Sequence, residues 1–226
     1  MTDRTTGEGR LSARPGAPEA EPERGLHRLG QRGLLYVPDG YDGGAPAPLA
    51  VMLHGAGGNA RQGISLLAPL ADALGVVVVA PTSRGDTWDV LRGGYGPDVE
   101  RIDALLEEAF ARCRVDPARV AVGGFSDGAS YALSLGITNG DLFTHVLAFS
   151  PGFAAPASRS GRPGIFVSHG DDDAVLPVDV CSRRIVPRLA QAGYEVVYRE
   201  FAGGHAVPPD VAREAVGWFL GRAGDR

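Results

Sequence analysis

The run GVVVVAP at residues 75–81 constrains the fold of this chain most strongly. Every position between Gly75 and Pro81 is apolar, which is typical of a central parallel strand that is buried on both faces. Other short apolar runs lie on either side of it and alternate with segments of helical period. This alternation predicts an α/β fold, in which crossover helices join the strands of a mostly parallel sheet and cover both of its faces.

Seven of these apolar runs read as strands. They lie at residues 33–37, 48–53, 76–81, 119–123, 145–150, 164–169 and 194–201. Helical faces are marked by Ile102, Leu105, Leu106, Ala109, Phe110 and Cys113, and near the end of the chain by Val211, Ala215, Trp218 and Phe219. The stretch 178–192 is also helical in period, and we expect Pro187 to kink or interrupt it.

Length and composition predict a single catalytic domain. A chain of 226 residues that is 44% hydrophobic suits one globular unit with its own core. Residues 1–24 are polar and rich in Gly, Pro and Arg, so we expect a flexible tail there and the domain at 25–226. Because this start has no apolar segment of the kind found in secretory signals, we expect a cytoplasmic location.

Charge and residue usage exclude several classes of function. A net charge of -5 argues against a nucleic-acid partner, which would need a basic face, and no apolar run is long enough to span a membrane. The chain contains no lysine, which excludes a Walker-type phosphate loop, a Schiff-base lysine and a Ser-Lys dyad. The two cysteines, Cys113 and Cys181, are too few for a disulfide framework, show no zinc-binding pattern and are expected to be buried thiols on helices.

Ser126 is the candidate nucleophile. It lies in Gly124-Phe125-Ser126-Asp127-Gly128, directly after the predicted strand 119–123 and before a run of helix formers. This sequence matches G-x-S-x-G in the strand-turn-helix context that exposes the serine on a tight corner. A pentapeptide of this kind also occurs by chance in Gly-rich turns, so its partners decide its meaning.

A serine hydroxyl needs a base, and the base needs a carboxylate to orient it. In such proteins the acid and then the histidine follow the serine along the chain. His27 and His54 precede Ser126, His145 begins a strand, and His169 lacks a well-placed acid before it. His205 follows every candidate acid loop, so we take it as the base.

The acid falls in the loop SHGDDDAVLP, after the strand 164–169. Asp171, Asp172 and Asp173 are all candidates at this point. Three adjacent acids could also form a solvated turn or, with His169, a divalent-cation site. The cation site is disfavoured, because catalytic metal sites draw ligands from several elements and no second carboxylate-rich loop is present.

Two backbone N–H groups are needed to stabilise the oxyanion. Asp127, the residue after the nucleophile, supplies one at a helix start, and its carboxylate is expected to complement the helix dipole. The second comes from the loop LHGAGGNA after the strand 48–53, where Ala56 or Gly55 is the candidate donor.

These motifs together resemble a known family. HGAGGN, GFSDG, HGDDDAVLP and GGH occur in the order found in small serine hydrolases of the α/β-hydrolase fold. From Gly33 to about Leu220, the chain is most similar to the phospholipase/carboxylesterase group, which includes acyl-protein thioesterases, with features of polyhydroxybutyrate-depolymerase-like esterases. The resemblance selects Asp173 as the acid. Thioesterase-like members usually have glutamine after the nucleophile, where this chain has Asp127.

The resemblance implies hydrolysis of a small-molecule acyl ester through an acyl-enzyme. Ser126 would attack, His205 would take its proton, Asp173 would orient the imidazole, and the N–H groups of Ala56 and Asp127 would hold the oxyanion. No metal or organic cofactor is implied. Alternatives are an acyl thioesterase, a lysophospholipase or a non-catalytic binding protein on the same fold. The oligomeric state is not predicted.

The connections around the site predict which acyl chains fit. The segment 151–163 has room for a loop but not for a helical cap domain. We therefore expect activity on soluble short to medium acyl esters. Trp88, in the loop 82–98, is expected to form an acyl pocket with Phe153, Val175 and Leu176, and the alternative for each of these residues is packing on the core.

Overall fold

The structure is a computed structural model that describes residues 8–19 and 22–221. Its centre is a sheet of eight strands in the order β1-β2-β4-β3-β5-β6-β7-β8. The strands are β1 (Gly25–Leu29), β2 (Gly33–Val37), β3 (Ala47–Leu53), β4 (Val77–Pro81), β5 (Val115–Phe125), β6 (His145–Phe149), β7 (Gly164–Gly170) and β8 (Val196–Phe201). Strand β2 is antiparallel to both of its neighbours, and the pairs from β4 through β8 are parallel.

Helices cover both faces of the sheet. They are α1 (Ala60–Ser65), α2 (Ala68–Leu74), α3 (Pro97–Arg112), α4 (Asp127–Thr138), α5 (Ser182–Gln191) and α6 (Pro209–Phe219), with a short 3₁₀ helix at Asp89–Arg92. Because side chains alternate along a strand, Val51 and Leu53 of β3 pack in the core under α3, α4 and α5, whereas Ala50 and Met52 pack under α1, α2 and α6. The α/β-hydrolase arrangement expected from the sequence is confirmed.

The predicted elements agree with the structure except at their edges. All seven predicted strands are present, but β5 begins at Val115, before residue 119. The edge strand β1 was not predicted, because only Leu29 of its five residues is buried and the others are exposed or half-buried, so the strand carries little apolar signal. Helix α5 spans 182–191 rather than 178–192 and continues through the exposed Pro187 instead of breaking there.

The cysteines are buried thiols, but they lie beside helices rather than within them. Cys113 follows α3, and Cys181 precedes α5. Burial raises the pKa of Cys113 to about 12, so this thiol stays protonated at neutral pH. Within the described residues, no helix combines the length and apolar character needed to cross a membrane.

Part of the segment expected to be a flexible tail is packed on the domain. Leu11 and Ala13 are buried, and the backbone groups of Leu11 and Gly9 bond to the amide of Asn139, at 2.8 and 2.7 Å. Arg10 forms an ion pair with Asp141. We call residues 9–14 the N-terminal strap. The packing of this strap could not be predicted from the sequence, because only two of its side chains are apolar. Its partner, the buried Asn139, also lies far away in the sequence.

Candidate active site

Ser126 occupies the sharp corner between β5 and α4. Its φ of 58° and ψ of −121° lie in a region that residues other than glycine rarely adopt, and its N–H donates to the carbonyl of Phe149 at 2.9 Å. The corner is tightly packed. A Cβ on Gly124 would lie 2.6 Å from the carbonyl carbon of Gly128, and a Cβ on Gly128 would lie 2.3 Å from the carbonyl oxygen of Leu53. The two glycines therefore permit the strained serine to stand above the end of the sheet.

Ser126, His205 and Asp173 form a continuous hydrogen-bonded chain. The Ser126 Oγ lies 2.9 Å from the His205 Nε2, and the His205 Nδ1 lies 2.6 Å from the Asp173 Oδ2. The imidazole rests on the ring of Phe125, with centroids 4.6 Å apart. With the proton on Nδ1 donated to the carboxylate, Nε2 is free to accept the proton of the serine hydroxyl.

Asp173 is buried, yet its surroundings favour the charged form. Burial alone would raise its pKa, but the hydrogen bonds from the Leu176 N–H, from His205 and from the Val175 N–H together lower the pKa below its ordinary value. The two N–H groups donate to Oδ1 at 2.8 and 2.9 Å, which leaves Oδ2 for the imidazole. The carboxylate is thus ionised and fixed in orientation at neutral pH.

The three consecutive acids have different surroundings. The Asp171 carboxylate accepts the Gly203 N–H at 3.0 Å, so it ties the acid loop to the loop that carries His205. Asp172 is exposed, and its backbone N–H donates to the carbonyl of Gly203 at 3.0 Å. Only Asp173 has its carboxylate bonded to the imidazole of His205.

The loop after β3, residues 54–59, lies against the nucleophile and is called the oxyanion loop below. A Cβ on Gly55 would lie 3.4 Å from the Ser126 Cβ. Ala56 is exposed next to it, as the position of a donor that faces a substrate requires. Asp127 is the first residue of α4, so its N–H has no partner within the helix. Its carboxylate accepts the Thr87 hydroxyl at 2.6 Å, a contact that the expected role at the helix dipole did not include.

The prediction that Trp88 binds substrate is wrong. Trp88 is fully buried, stacks on Tyr131 and donates its indole N–H to the His54 carbonyl at 2.9 Å. Its indole N–H is satisfied by a partner in the core, as a buried tryptophan requires. Trp88 therefore supports the oxyanion loop from the core side and does not line a pocket.

The other three predicted substrate-binding residues reach the surface. Val175 is 65% exposed, Leu176 is half-buried beside Gly152, and Phe153 lines a surface cavity.

Two residues near the site were not assigned a role from the sequence. The Ser130 hydroxyl accepts the Gly152 N–H at 2.9 Å and so fixes the loop after β6 next to the first turn of α4. The buried His169 lies with its Nε2 2.7 Å from the Leu176 carbonyl and 3.3 Å from the Asp173 Oδ2, and with its Nδ1 2.6 Å from the Ser182 hydroxyl. His169 thus holds the acid loop. The recurrence of hydroxyl residues at 126, 130, 134 and 138 was a signal that could have revealed Ser130.

Comparisons with known proteins identify the family of this chain and several related esterases. Residues 94–215, more than half of the chain, match the family described as Phospholipase/Carboxylesterase. Feruloyl esterase C from Emericella nidulans is 31% identical over 158 residues, which cover 66% of this chain and 57% of that protein. NocK from Nocardia uniformis subsp. tsuyamanensis is 32% identical over 152 residues, which cover 60% of this chain and 44% of that protein. The chain thus spans about half the length of these curated relatives.

A solved structure covers nearly the whole domain. The crystal structure of esterase PE8 superimposes with a TM-score of 0.68 at 26% identity and covers 87% of this chain and 99% of that chain. This superposition supports the arrangement of sheet and helices that carries the Ser126 corner.

Proposed function

This chain belongs to the phospholipase/carboxylesterase family of α/β-hydrolases, and we propose that it hydrolyses soluble carboxylic esters of short to medium acyl chains through an acyl-enzyme on Ser126. The observation that carries the proposal is the chain of hydrogen bonds from Ser126 through His205 to Asp173, at 2.9 and 2.6 Å.

The mechanism follows from this geometry. His205 Nε2 removes the proton of the Ser126 hydroxyl as Oγ attacks the ester carbonyl, and the Asp173 carboxylate stabilises the imidazolium that forms. The N–H groups of Asp127 and of Ala56 in the oxyanion loop stabilise the tetrahedral oxyanion. His205 then protonates the leaving alcohol. Water, deprotonated by the same imidazole, attacks the acyl-enzyme and releases the acid.

The shape of the site favours soluble substrates. Residues 150–163, which join β6 to β7, form a loop without a helix. No helical cap therefore covers Ser126 from this connection, and we expect no jump in rate when a substrate passes its solubility limit.

The first test is labelling of Ser126 by a fluorophosphonate, together with hydrolysis of p-nitrophenyl esters from acetyl to palmitoyl. The panel also includes methyl ferulate, because a relative is named a feruloyl esterase, and an acyl thioester, because the resemblance includes thioesterases. Wild-type enzyme should be labelled and should prefer short to medium chains, whereas Ser126→Ala should do neither. A preference for palmitoyl esters with activation at the micellar transition would contradict the proposed substrate class.

Asp173→Asn should lower kcat about 10³- to 10⁴-fold, because the imidazole then adopts the wrong tautomer. Asp172→Asn is the matched control, and its kcat should stay within about tenfold of wild type, since its carboxylate is exposed. If Asp172→Asn were the more severe change, the assignment of the acid would be wrong.

A further inference from the structure

A cavity of about 430 Å³ lies between the loop after β6 and helix α5. One of its lining residues, Gly152, donates its N–H to Ser130, four residues after the nucleophile. The loop lines it with Gly152, Phe153 and Arg159 among others, and the segment 180–189 lines it from the other side. Ile137 of α4 and the residues Ala192 and Tyr194 before β8 also line it. Its walls are therefore an apolar surface with three guanidinium groups. None of the residues that line this cavity takes part in the proposed ester hydrolysis.

The loop wall of this cavity is fixed to the nucleophile's own helix. Ser130 accepts the N–H of Gly152, and Ser134, one turn further along α4, accepts the N–H of Ala155 at 2.9 Å. Tyr95 holds the same loop from the opposite side by donating its hydroxyl to the Ala155 carbonyl at 2.8 Å. With a rise of 1.5 Å per residue, Ser130 and Ser134 lie about 6 and about 12 Å from Ser126 along the helix axis, and Ile137, which also lines the cavity, lies about 16 Å from it.

The charges of the cavity are unbalanced. Arg184 and Arg188 are four residues apart and so share one face of α5, and Arg159 reaches the cavity from the loop. No aspartate or glutamate lines the cavity, and within residues 8–19 and 22–221 no carboxylate forms an ion pair with any of the three. The neighbouring Arg183, by contrast, is paired with both Asp179 and Glu200. A local excess of positive charge in a chain of net charge -5 favours an anion.

We propose that this cavity binds the acyl part of the substrate and that this acyl part ends in a carboxylate, so that the enzyme prefers monoesters of medium-length dicarboxylic acids. The apolar residues Phe153, Val180 and Ile185 pack against the methylene chain, and the guanidinium groups of Arg184, Arg188 and Arg159 bind the free carboxylate. The proposal rests on the ester hydrolysis proposed above and names its substrate class.

The test compares esters of equal chain length that differ in one charge. Mono-p-nitrophenyl adipate and suberate are measured against p-nitrophenyl hexanoate and octanoate; these diacid chains are too long to expel nitrophenolate readily by ring closure. In wild type, kcat/KM should be about tenfold or more higher for the anionic ester, mainly through KM, since charge-assisted hydrogen bonds to a carboxylate are strong. Added salt should reduce this preference.

Arg184→Gln combined with Arg188→Gln should lower the ratio of anionic to neutral kcat/KM about tenfold or more, because two of the three cations are removed. Arg213→Gln is the matched control, since Arg213 is an exposed arginine on α6, on the other face of the sheet, and it should leave the ratio unchanged. A direct measurement is calorimetric binding of suberate to Ser126→Ala, which should be detected and should be lost with the double substitution.

The outcomes separate the two proposals. If wild type hydrolyses both ester series with equal kcat/KM, the anionic substrate class is wrong and ester hydrolysis stands. If neither series is hydrolysed and Ser126 is not labelled, ester hydrolysis is wrong. The cavity is then judged by suberate binding alone, and absence of binding to Ser126→Ala would overturn the cavity proposal.

Discussion

The two glycine-rich corners of the site are held in different ways. The nucleophile corner, residues 124–128, is held by close backbone packing, because any side chain at Gly124 or Gly128 would meet backbone atoms of the corner itself or of Leu53 and His54 at 2.6 Å or less. The oxyanion loop is held from outside. Trp88 donates to the His54 carbonyl at 2.9 Å, the Ser83 N–H donates to the His54 Nε2 at 3.0 Å, and the Gly57 N–H donates to the Asp86 carbonyl at 2.6 Å.

This difference explains why the nucleophile corner can be predicted from a local motif and the support of the oxyanion loop cannot. The nucleophile corner needs small residues at fixed spacing, so its motif is local and can be read directly. The oxyanion loop depends on residues 83–88, roughly thirty positions away, whose spacing carries no pattern. The loop 83–98 is itself fixed by carboxylates: Asp98 accepts the Arg84 N–H at 2.7 Å and the Asp89 N–H at 3.0 Å.

The largest effect is expected at the contact between the two corners. In Gly128→Ala the new Cβ would meet the carbonyl oxygens of Leu53 and His54 at 2.3 and 2.5 Å, so the nucleophile and the oxyanion loop are forced apart. We expect kcat to fall about 10³-fold or more, with a loss of about 3 kcal/mol in the free energy of unfolding. Esterase assays and urea unfolding measure the two effects.

Gly217→Ala is the control for this glycine, because nothing lies within 4 Å of its Cβ position in α6. It should retain full activity and gain stability slightly, since alanine favours a helix more than glycine does. Wild-type activity in Gly128→Ala would show that the two corners are not in tight contact.

A smaller effect is expected from Trp88→Phe, which removes the support behind the oxyanion loop. The His54 carbonyl loses its donor, and we expect kcat to fall about tenfold with little change in KM, because the loop acts on the transition state. Trp218→Phe is the matched control. Trp218 contacts His145 and Phe166 on α6's side of the sheet, and its replacement should leave kcat unchanged. An increase in KM alone would instead support direct binding of substrate by Trp88.

The smallest effect concerns the pH dependence of stability at His54. Burial, only partly opposed by the hydrogen bond to the Gly55 carbonyl, lowers the pKa of His54 below its ordinary value of 6.5. The folded state therefore favours the neutral ring, whose Nε2 accepts the Ser83 N–H. The stability from this neutral ring is complete above pH 6.5 and is lost as the pH falls below it, because the unfolded state then binds the proton first.

Urea unfolding at pH 7.5 and 5.5 measures this contribution. The loss of stability on acidification should be smaller in His54→Gln than in wild type. His145→Gln is the control: burial also lowers the pKa of His145, so it should reduce the loss in the same direction, but it should leave kcat unchanged, since His145 packs against Trp218 and Phe219. An unchanged pH dependence in His54→Gln would show that His54 has the same pKa in both states.

Sequence reasoning succeeded where the determinants are local in the chain. The all-apolar run 76–80 specified a central strand, and G-x-S-x-G with the chain order of acid and base selected Ser126 and His205. The family resemblance selected Asp173 among three adjacent acids, and the structure brings the three residues within hydrogen-bond distance. It could not choose between an acyl pocket and the core for Trp88, which is buried, because an aromatic residue in a polar loop can pack inward or outward with the same pattern. The cavity lined by Arg159, Arg184 and Arg188 could not be predicted either, since its walls come from separate segments that are joined only by tertiary packing.

The N-terminal strap has a consequence for motion at the site. Asn139, the cap at the far end of α4, is bonded to Gly9 and Leu11, while the near end of the helix is locked by the Ser126 corner. A helix pinned at both ends cannot slide along its axis or rotate without breaking buried hydrogen bonds. We therefore expect α4, and with it Ser126, to keep its position when a substrate binds. If the acyl chain binds in the cavity as proposed, its pocket has one wall on a helix that is held at both ends.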